Sequence, residues 1–309
     1  MAHHTRIEFG YSPPVGDRGI EVIRPRDFVA DLQHVLDVAT KGFTSIWVSD
    51  HLMFETKFRM ECWTELVWIA ARYPTVMLST VVLCNSFRNP ALLAKMGASL
   101  QAFSSGRFIL GYGAGWHEDE FRAYGYGFPP PPVRVDMLEE GIQVIRAMWQ
   151  QSPASFAGKY YQITDAYCEP RPDPIPPLMI GGGGEKRTLR LVARYADLWN
   201  DTARPVDVLR HKLSVLRDHC QTEGRDYDRI RKTIMIRVFI NKSHKAALAR
   251  GGDMLTSDNP ALVGDPSAIR EQLDALADLG IDLCQLVFPN FPETDDMQLF
   301  LDEVQPHFS

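Results

Sequence analysis

Short, apolar runs rich in β-branched and aromatic residues alternate along the chain with longer segments in which apolar residues recur every three or four positions. The short runs predict strands, at residues 6–11, 44–49, 76–84, 108–111, 177–180, 197–200, 233–240 and 283–288. The longer segments predict amphipathic helices, and the clearest apolar stripes are Phe28, Leu32, Val35, Leu36 and Ala39; Met137, Leu138, Gly141, Ile142, Ile145 and Met148; and Ile269, Leu273, Leu276 and Leu279.

Local signals mark where several of these helices begin and end. Asn89 and Asp265 each precede a proline, which places a capping side chain before a proline at the first helical position. Gly42 and Gly280 stand where two helices should stop, because glycine adopts the left-handed conformation that ends many helices.

Eight strands alternating with helices over one chain predict an α/β fold, a single (β/α)8 TIM barrel spanning residues 1–309. An open, doubly wound sheet is the structural alternative, but its glycine fingerprint is missing from "FGYSPPVGDRG" after the first strand. Two regions exceed the simple repeat: residues 53–62, and residues 151–176 with a predicted short hairpin and a proline-rich connection. We expect both to be insertions at the C-terminal mouth of the barrel, where function concentrates.

Composition narrows the class of protein. The 309 residues are 45% hydrophobic and 23% charged, with a net charge of −6 and five scattered cysteines. The acidic balance argues against a nucleic-acid surface, and the absence of any long apolar window argues against a membrane span. Unpaired cysteine spacing and an amino terminus without an apolar leader predict a reduced, cytoplasmic protein.

The fifth predicted strand ends in four glycines, Gly181, Gly182, Gly183 and Gly184. Glu185 precedes Lys186, so the run fits neither a P-loop nor a dinucleotide fingerprint. One interpretation is a phosphate site, with backbone N–H groups at the start of a helix near Glu185 and with Lys186 and Arg187 adding positive charge. The alternative is a tight barrel turn that binds no ligand.

The fourth strand is followed by "GYGAGWHEDEF", residues 111–121. Its alternating glycines would let backbone approach a planar ring, although a simple turn explains them equally well. Trp116 is a candidate pocket wall. His117, Glu118, Asp119 and Glu120 predict the start of a helix, where acidic residues are favoured whatever the function.

Asp50 and His51 follow the second strand. A histidine at this place can exchange a proton near neutral pH when a carboxylate orients it, while a purely structural Asp-His pair is the alternative. Only His51 and His117 of the nine histidines fall at predicted strand ends, so we predict no metal site. A serine hydrolase is also disfavoured, because no G-x-S-x-G elbow is present.

Four segments together resemble the luciferase-like monooxygenase family, and most closely its branch that uses the deazaflavin coenzyme F420. They are "SIWVSDHL" (45–52), "GRFILGYGAGWHEDEFRAYG" (106–125), "PPLMIGGGGEKRTLRLVARYADLWN" (176–200) and "LVGDPSAIREQLDALADLGID" (262–282). The resemblance implies a (β/α)8 barrel, usually a homodimer, with the cofactor at the C-terminal mouth and FMN as the alternative cofactor.

The resemblance also implies roles for individual residues. The cofactor ring would lie over a bulge at the third strand with a non-proline cis peptide near Val81 and Val82, followed by Asn85 and Arg88. Gly113, Ala114, Gly115 and Trp116 would flank the ring, and Gly181–Gly184 with Lys186 or Arg187 would bind the phosphate. Arg204, Lys159 and Lys186 are candidates for the anionic tail. Dehydrogenase members often carry a tryptophan where this chain has Phe54 or Glu55, a departure from sugar-phosphate and alcohol dehydrogenases.

The sequence thus predicts an F420-dependent oxidoreductase that moves a hydride to or from a small organic substrate, with His51, helped by Asp50, transferring the proton. Two alternatives stay open at this stage. One is an FMN-dependent monooxygenase of the same family, and the other is a non-catalytic carrier of the flavin or deazaflavin.

Overall fold

The structure, a computed structural model, describes residues 7–13, 25–54 and 57–308. The strands of the described residues are β1 (Glu8–Tyr11), β2 (Ser45–Val48), β3 (Met77–Thr80), β4 (Leu83–Cys84), β5 (Phe108–Gly113), β6 (Ala154–Ala157), β7 (Gln162–Ala166), β8 (Leu178–Gly181), β9 (Leu198–Thr202), β10 (Arg231–Ile240), β11 (Leu262–Gly264) and β12 (Leu283–Val287). The helices are α1 (Pro25–Ala39), α2 (Cys62–Arg72), α3 (Pro90–Phe103), α4 (Glu118–Ala123), α5 (Pro131–Gln150), α6 (Thr188–Tyr195), α7 (Val206–Thr222), α8 (His244–Gly251), α9 (Pro266–Asp278) and α10 (Asp295–Glu303).

Eight of these strands close into a parallel ring. The order is β1, β2, β3, β5, β8, β9, β10 and β12, and β12 pairs with β1 to complete the circle. The predicted (β/α)8 barrel is therefore confirmed. All eight predicted strands are present with shifted ends, and residue 6 of the first prediction lies outside the described residues.

The helices cover the barrel as their apolar stripes predict. Leu32, Leu36 and Ile142 are buried, together with most of the predicted stripe positions. Asn89 caps α3 by accepting hydrogen bonds from the N–H groups of Ala91 and Leu92, and Asp265 caps α9 in the same way. Gly280 follows α9 with φ of +86°, a conformation that glycine adopts without strain.

Insertions shape the mouth of the barrel. β6 and β7 form the antiparallel hairpin predicted between residues 151 and 176. The third predicted strand is divided into β3 and β4, which both pair with β5. The division falls at Val81 and Val82, so the chain bulges at the rim of the barrel.

Large side chains fill the inside of the barrel below that rim. Trp47, Met179 and Leu283 are almost completely buried there in one cluster, against which Val82 and Met235 pack. Because the interior is a packed core, a ligand site is expected above it, at the carboxyl ends of the strands.

Candidate functional site

A cleft of about 530 Å³ lies at the carboxyl ends of the barrel strands, which is the volume of a typical cofactor or ligand site. It is lined by residues from the ends of β2, β3, β5, β8, β9 and β10 and from the start of α5: Ser49, Asp50, His51, Val81, Val82, Cys84, Gly113, Ala114, Gly115, Trp116, Glu120, Pro131, Arg134, Val135, Gly181, Gly182, Gly183, Thr188, Asn200, Asp201, Thr202, Arg204 and Met235. Most of the site residues predicted from the sequence are therefore brought together here.

The floor of the cleft is the bulge after β3. Its peptide bond between Val81 and Val82 is cis, at the position that the family resemblance implied. Val82 reaches across to two neighbouring strands: a Cβ on Gly113 would lie 2.6 Å from its Cγ2, and a Cβ on Gly181 would lie 2.8 Å from the same atom. These glycines thus let the bulge sit between β5 and β8.

Gly111 and Gly115 are needed by the protein in a similar way. A Cβ on Gly111 would lie 1.8 Å from the carbonyl oxygen of Thr80. Gly115 has φ of +76°, and its Cβ would lie 2.5 Å from the Sγ of Cys84. The close approach that these two glycines allow is to the chain itself, which gives each of them a structural reason that does not depend on a planar ring.

Asp50 is held away from His51 by an ion pair. Its carboxylate oxygens accept from the guanidinium of Arg88, at 2.7 and 3.1 Å, and Oδ2 also accepts from the backbone N–H of Cys84 at 2.8 Å. Arg88 in turn pairs with Glu61. Asp50 therefore ties the end of β2 to β4 beside the bulge, and the prediction that it orients His51 is wrong.

The carboxylate that orients His51 is Glu120. The Nδ1 atom of His51 lies 2.9 Å from Oε1 of Glu120, and Oε2 accepts from the N–H of Leu52 at 2.8 Å. Glu120 is only 2% exposed, on the inner face of α4. Because a carboxylate can only accept, the proton is on Nδ1 and Nε2 is the ring nitrogen available to a ligand.

Sequence reasoning did not identify Glu120, since three consecutive acidic residues begin α4 and helix starts favour acid in general. The signal that separates them is helical phase. Glu118 is exposed and pairs with Arg122 on the solvent side, whereas Glu120 is followed directly by the buried Phe121.

The glycine run forms the opposite wall. Gly182 has φ of +117°, and its N–H donates to the carbonyl of Asn200 at 2.9 Å, so this amide is already used. The helix that follows begins at Thr188, three residues later than the predicted start near Glu185. Its apolar residues Leu189, Val192 and Ala193 are buried.

Charged groups from later in the chain lie beneath the run. A Cβ on Gly183 would come within 2.3 Å of Oδ2 of Asp201, and Lys212 donates to the carbonyl of Gly183. Burial raises the pKa of Asp201, while the charges of Arg204 and Lys212 oppose that rise. Neither Asp201 nor Lys212 was identified from the sequence, because they lie 18 and 29 residues beyond Gly183 and carry no motif.

Several predicted cofactor residues do not line the cleft. Lys186 and Gly184 are exposed, and Arg187 is exposed and pairs with Asp136 at the start of α5. Asn85 is buried below the rim, where it accepts from the hydroxyl of Tyr112 at 2.5 Å and donates to that of Tyr161 at 2.9 Å. The structure thus gives Asn85 and Arg187 partners within the protein.

Three buried polar atoms on the lining residues have no hydrogen-bond partner: Nε of Arg134, Nε of Arg204 and Oδ2 of Asp201. Buried polar groups are normally paired, so these atoms mark where a polar ligand is expected. Within the described ranges, no group of three or more histidine, cysteine or carboxylate side chains is arranged to hold a metal ion.

Comparisons with known proteins agree on one family. A model of the luciferase-like monooxygenase family matches residues 26–257. The chain is 30% identical to an F420-dependent glucose-6-phosphate dehydrogenase of Amycolatopsis mediterranei over 74% of this chain and 69% of that one, and 30% identical to the protein of that name from Kineococcus radiotolerans over 76% and 72%.

Solved structures share the fold at lower identity. An F420-dependent secondary alcohol dehydrogenase in complex with an F420-acetone adduct superposes with a TM-score of 0.81 at 20% identity, over 98% of this chain and 99% of that one. The monooxygenase RslO1 of Streptomyces bottropensis superposes with the same TM-score and identity, over 98% and 100%. In the part of the chain that the structure covers, no helix is long and apolar enough to cross a membrane.

Proposed function

The chain belongs to the luciferase-like monooxygenase family, and from that membership we propose that it is a coenzyme F420-dependent oxidoreductase. It transfers a hydride between the deazaflavin and a small organic substrate. The observation that carries the proposal is the convergence of the cis bulge, the glycine run and the His51–Glu120 pair on one cleft. The curated relatives named F420-dependent dehydrogenases support the choice of cofactor.

The lining residues fit such a cofactor. Val81 and Val82 offer an apolar floor for a flat ring, and Gly113, Ala114 and Gly115 offer a low wall beside it. The unpartnered Nε atoms of Arg134 and Arg204 are donors suited to the anionic groups of the side chain. When bound, the deazaflavin supplies a carbon centre that exchanges two electrons as a hydride.

The anion-binding part of the site differs from the prediction. Gly181, Gly182 and Gly183 line the cleft, as predicted. The cation that lines it on this side is Arg204, in place of the predicted Lys186 and Arg187. The carboxylate of Asp201 lies next to Gly183 and would repel a phosphate bound there. We therefore assign the phosphate to the stretch between Thr188 and Arg134, on the side of the cleft formed by the start of α5.

His51 is assigned the proton transfer. Its Nδ1–H donates to Glu120, which fixes the tautomer and leaves Nε2 for the substrate oxygen. When a substrate alcohol is oxidised, Nε2 accepts the hydroxyl proton as the hydride leaves the carbon. In the reverse direction the same atom returns that proton. Glu120 acts through His51, by orienting the ring and stabilising its positive charge.

The proposal is tested by titrating the purified protein with F420 and, separately, with FMN, and following the fluorescence of each cofactor. We expect saturable binding of F420 and much weaker binding of FMN. Tight FMN binding without F420 binding would establish the monooxygenase alternative. F420 binding with no hydride exchange towards any substrate would establish the carrier alternative.

We also propose a homodimer, formed through the outer faces of α2 and α3. Phe103 is 89% exposed there, and Leu92 and Val67 are also exposed, so both helices present apolar side chains that a second copy would cover. Sedimentation equilibrium of the wild type and of Phe103→Glu tests this proposal, since the variant is expected to sediment as a monomer.

We place the protein in the cytosol, because its five cysteines are unpaired and buried; cell fractionation tests the assignment.

A further inference from the structure

Three aromatic rings gather beside that of His51, at the end of the cleft away from the glycine run. Phe54 lies 4.5 Å from the ring of His51 and stacks on His117 at 4.6 Å between centroids. Trp116 lies 5.7 Å from His51 and 6.2 Å from Phe54. We call these four residues, His51, Phe54, Trp116 and His117, the aromatic rim.

The aromatic rim is incompletely covered. Trp116 lines the cleft and is 65% exposed, although indole is among the side chains that gain most from burial. Its contacts with His51 and Phe54 hold it at the entrance. An exposed, supported aromatic side chain next to the proton-transfer residue is a surface on which a flat apolar molecule would pack.

The charged side chains that line the cleft beside the aromatic rim are both acidic. Arg59 lies 5.4 Å over the ring of Phe54 and donates to the carbonyl of His51, but it does not line the cleft. Asp50 and Glu120 line the cleft at this end and are both buried. Arg88 sits behind Asp50 and Glu61, and it is not among the lining residues. A dianionic group placed beside His51 would therefore meet two carboxylates in a partly buried setting, where charges are weakly screened.

The cations that do line the cleft are engaged elsewhere. Arg204 lies 3.6 Å from Asp201 by the glycine run. Arg134 has its guanidinium 4.0 Å over the ring of Phe128 and donates to the carbonyl of Pro129. Neither contacts a member of the aromatic rim through any of these interactions, so the described side chains that line this end of the cleft are the rings of His51 and Trp116 and two carboxylates.

From this arrangement we propose that the substrate is an uncharged molecule with a flat, apolar ring next to its reactive carbonyl or alcohol, and not a phosphorylated sugar. The inference rests on the proposed function for its hydride donor. In the ketone direction, the carbonyl carbon receives a hydride from the reduced cofactor and the carbonyl oxygen receives a proton from His51. The products are the alcohol and the oxidised cofactor.

Three ketone probes separate the effect of an aromatic ring from the effect of a negative charge. Acetophenone carries the ring, acetone lacks it, and 4-acetylphenyl phosphate carries the ring and a dianion. Reduction by F420-loaded, pre-reduced enzyme is followed by the return of the oxidised cofactor's absorbance. We expect the KM of acetophenone to be about tenfold below that of acetone, as one aromatic contact would provide, and the KM of the phosphate probe to be at least about tenfold above that of acetophenone.

Variants locate the effect. Trp116→Ala is expected to raise the KM of acetophenone about tenfold relative to that of acetone. Tyr167→Ala is the matched control, because Tyr167 is 66% exposed, does not line the cleft and carries a ring of similar size. It should change neither KM.

Measuring the binding of the probes directly tests the substrate class separately from the proposed function. Calorimetric titration of the three probes into protein loaded with oxidised F420 should rank acetophenone first, whether or not turnover is fast. Tighter binding of 4-acetylphenyl phosphate or of glucose 6-phosphate would overturn the substrate class and leave the cofactor assignment standing. Failure to bind F420 would overturn the proposed function, and probe binding to the cofactor-free protein would then decide the substrate class alone.

Discussion

Replacing Glu120 with glutamine tests the His51–Glu120 pair with a minimal change of shape. Each oxygen of Glu120 accepts one hydrogen bond, from Nδ1 of His51 at 2.9 Å and from the N–H of Leu52 at 2.8 Å. Glutamine has a single acceptor oxygen and an NH2 group. One of the two donors would therefore face another donor, in a place where Glu120 is only 2% exposed.

The size of the effect follows from this geometry. A buried donor left without an acceptor costs about 1–3 kcal/mol. The loss of a carboxylate beside the imidazolium acts in the same direction, since hydrogen bonds to charged groups are about twice as strong as neutral ones. With about 1.4 kcal/mol for each factor of ten, we expect kcat to fall about 10- to 100-fold, while the Kd of F420 changes less than about twofold.

The assay is steady-state turnover across pH, together with F420 titration. Glu118→Gln is the matched control, since Glu118 is on the same helix but exposed and paired with Arg122. Equal losses of kcat in the two variants would refute the role of Glu120.

Two further predictions concern the glycine run and a buried carboxyl. Gly183→Ala should weaken F420 binding about tenfold and also lower Tm, because its Cβ would lie 2.3 Å from Oδ2 of Asp201 and displace that buried carboxylate. Gly127→Ala, with open space around it, is the control. A lower Tm with unchanged affinity on titration would show that Gly183 serves only the turn. Burial raises the pKa of Glu65 to about 7 from 4.5. The unfolded chain therefore loses this proton at lower pH than the folded one, and the free energy of unfolding falls as pH rises from about 4.5 to 7, by up to about 3 kcal/mol at about 1.4 per pKa unit. In urea denaturation, the free energy of unfolding of Glu65→Gln should rise relative to that of the wild type between pH 4.5 and 8. A difference between the two proteins that stays constant over this pH range would contradict the prediction.

The barrel could be predicted from the sequence because its signals are local. Strand and helix periodicities are set by neighbours a few residues apart, and the caps at Asn89 and Asp265 depend on the next three residues. The position of the cis peptide at Val81 and Val82 came from the family resemblance, since nothing in the two valines themselves indicates it. The ends of the strands were less predictable, because β5 continues to Gly113 through residues that also favour turns.

The partners within the site could not be predicted in the same way. Asp50 stands next to His51 in sequence, yet successive residues leaving a strand point in different directions. The carboxylate that meets His51 comes from Glu120, 69 positions away. Lys186 and Arg187 are adjacent to the glycine run but point to solvent. Proximity along the chain was a poor guide wherever a pairing joins the loops of different strands.

The close packing around the bulge limits which substitutions this enzyme can accept. Gly113 and Gly181 belong to different strands, and both press on the one side chain of Val82. Enlarging either glycine demands a smaller residue at position 82, so the three positions can vary only in concert. A substitution at Trp116 meets no such constraint, because that side chain is 65% exposed. Substitutions that accumulate in this scaffold, naturally or by directed evolution, should therefore fall at the entrance and leave Val82, Gly113 and Gly181 unchanged.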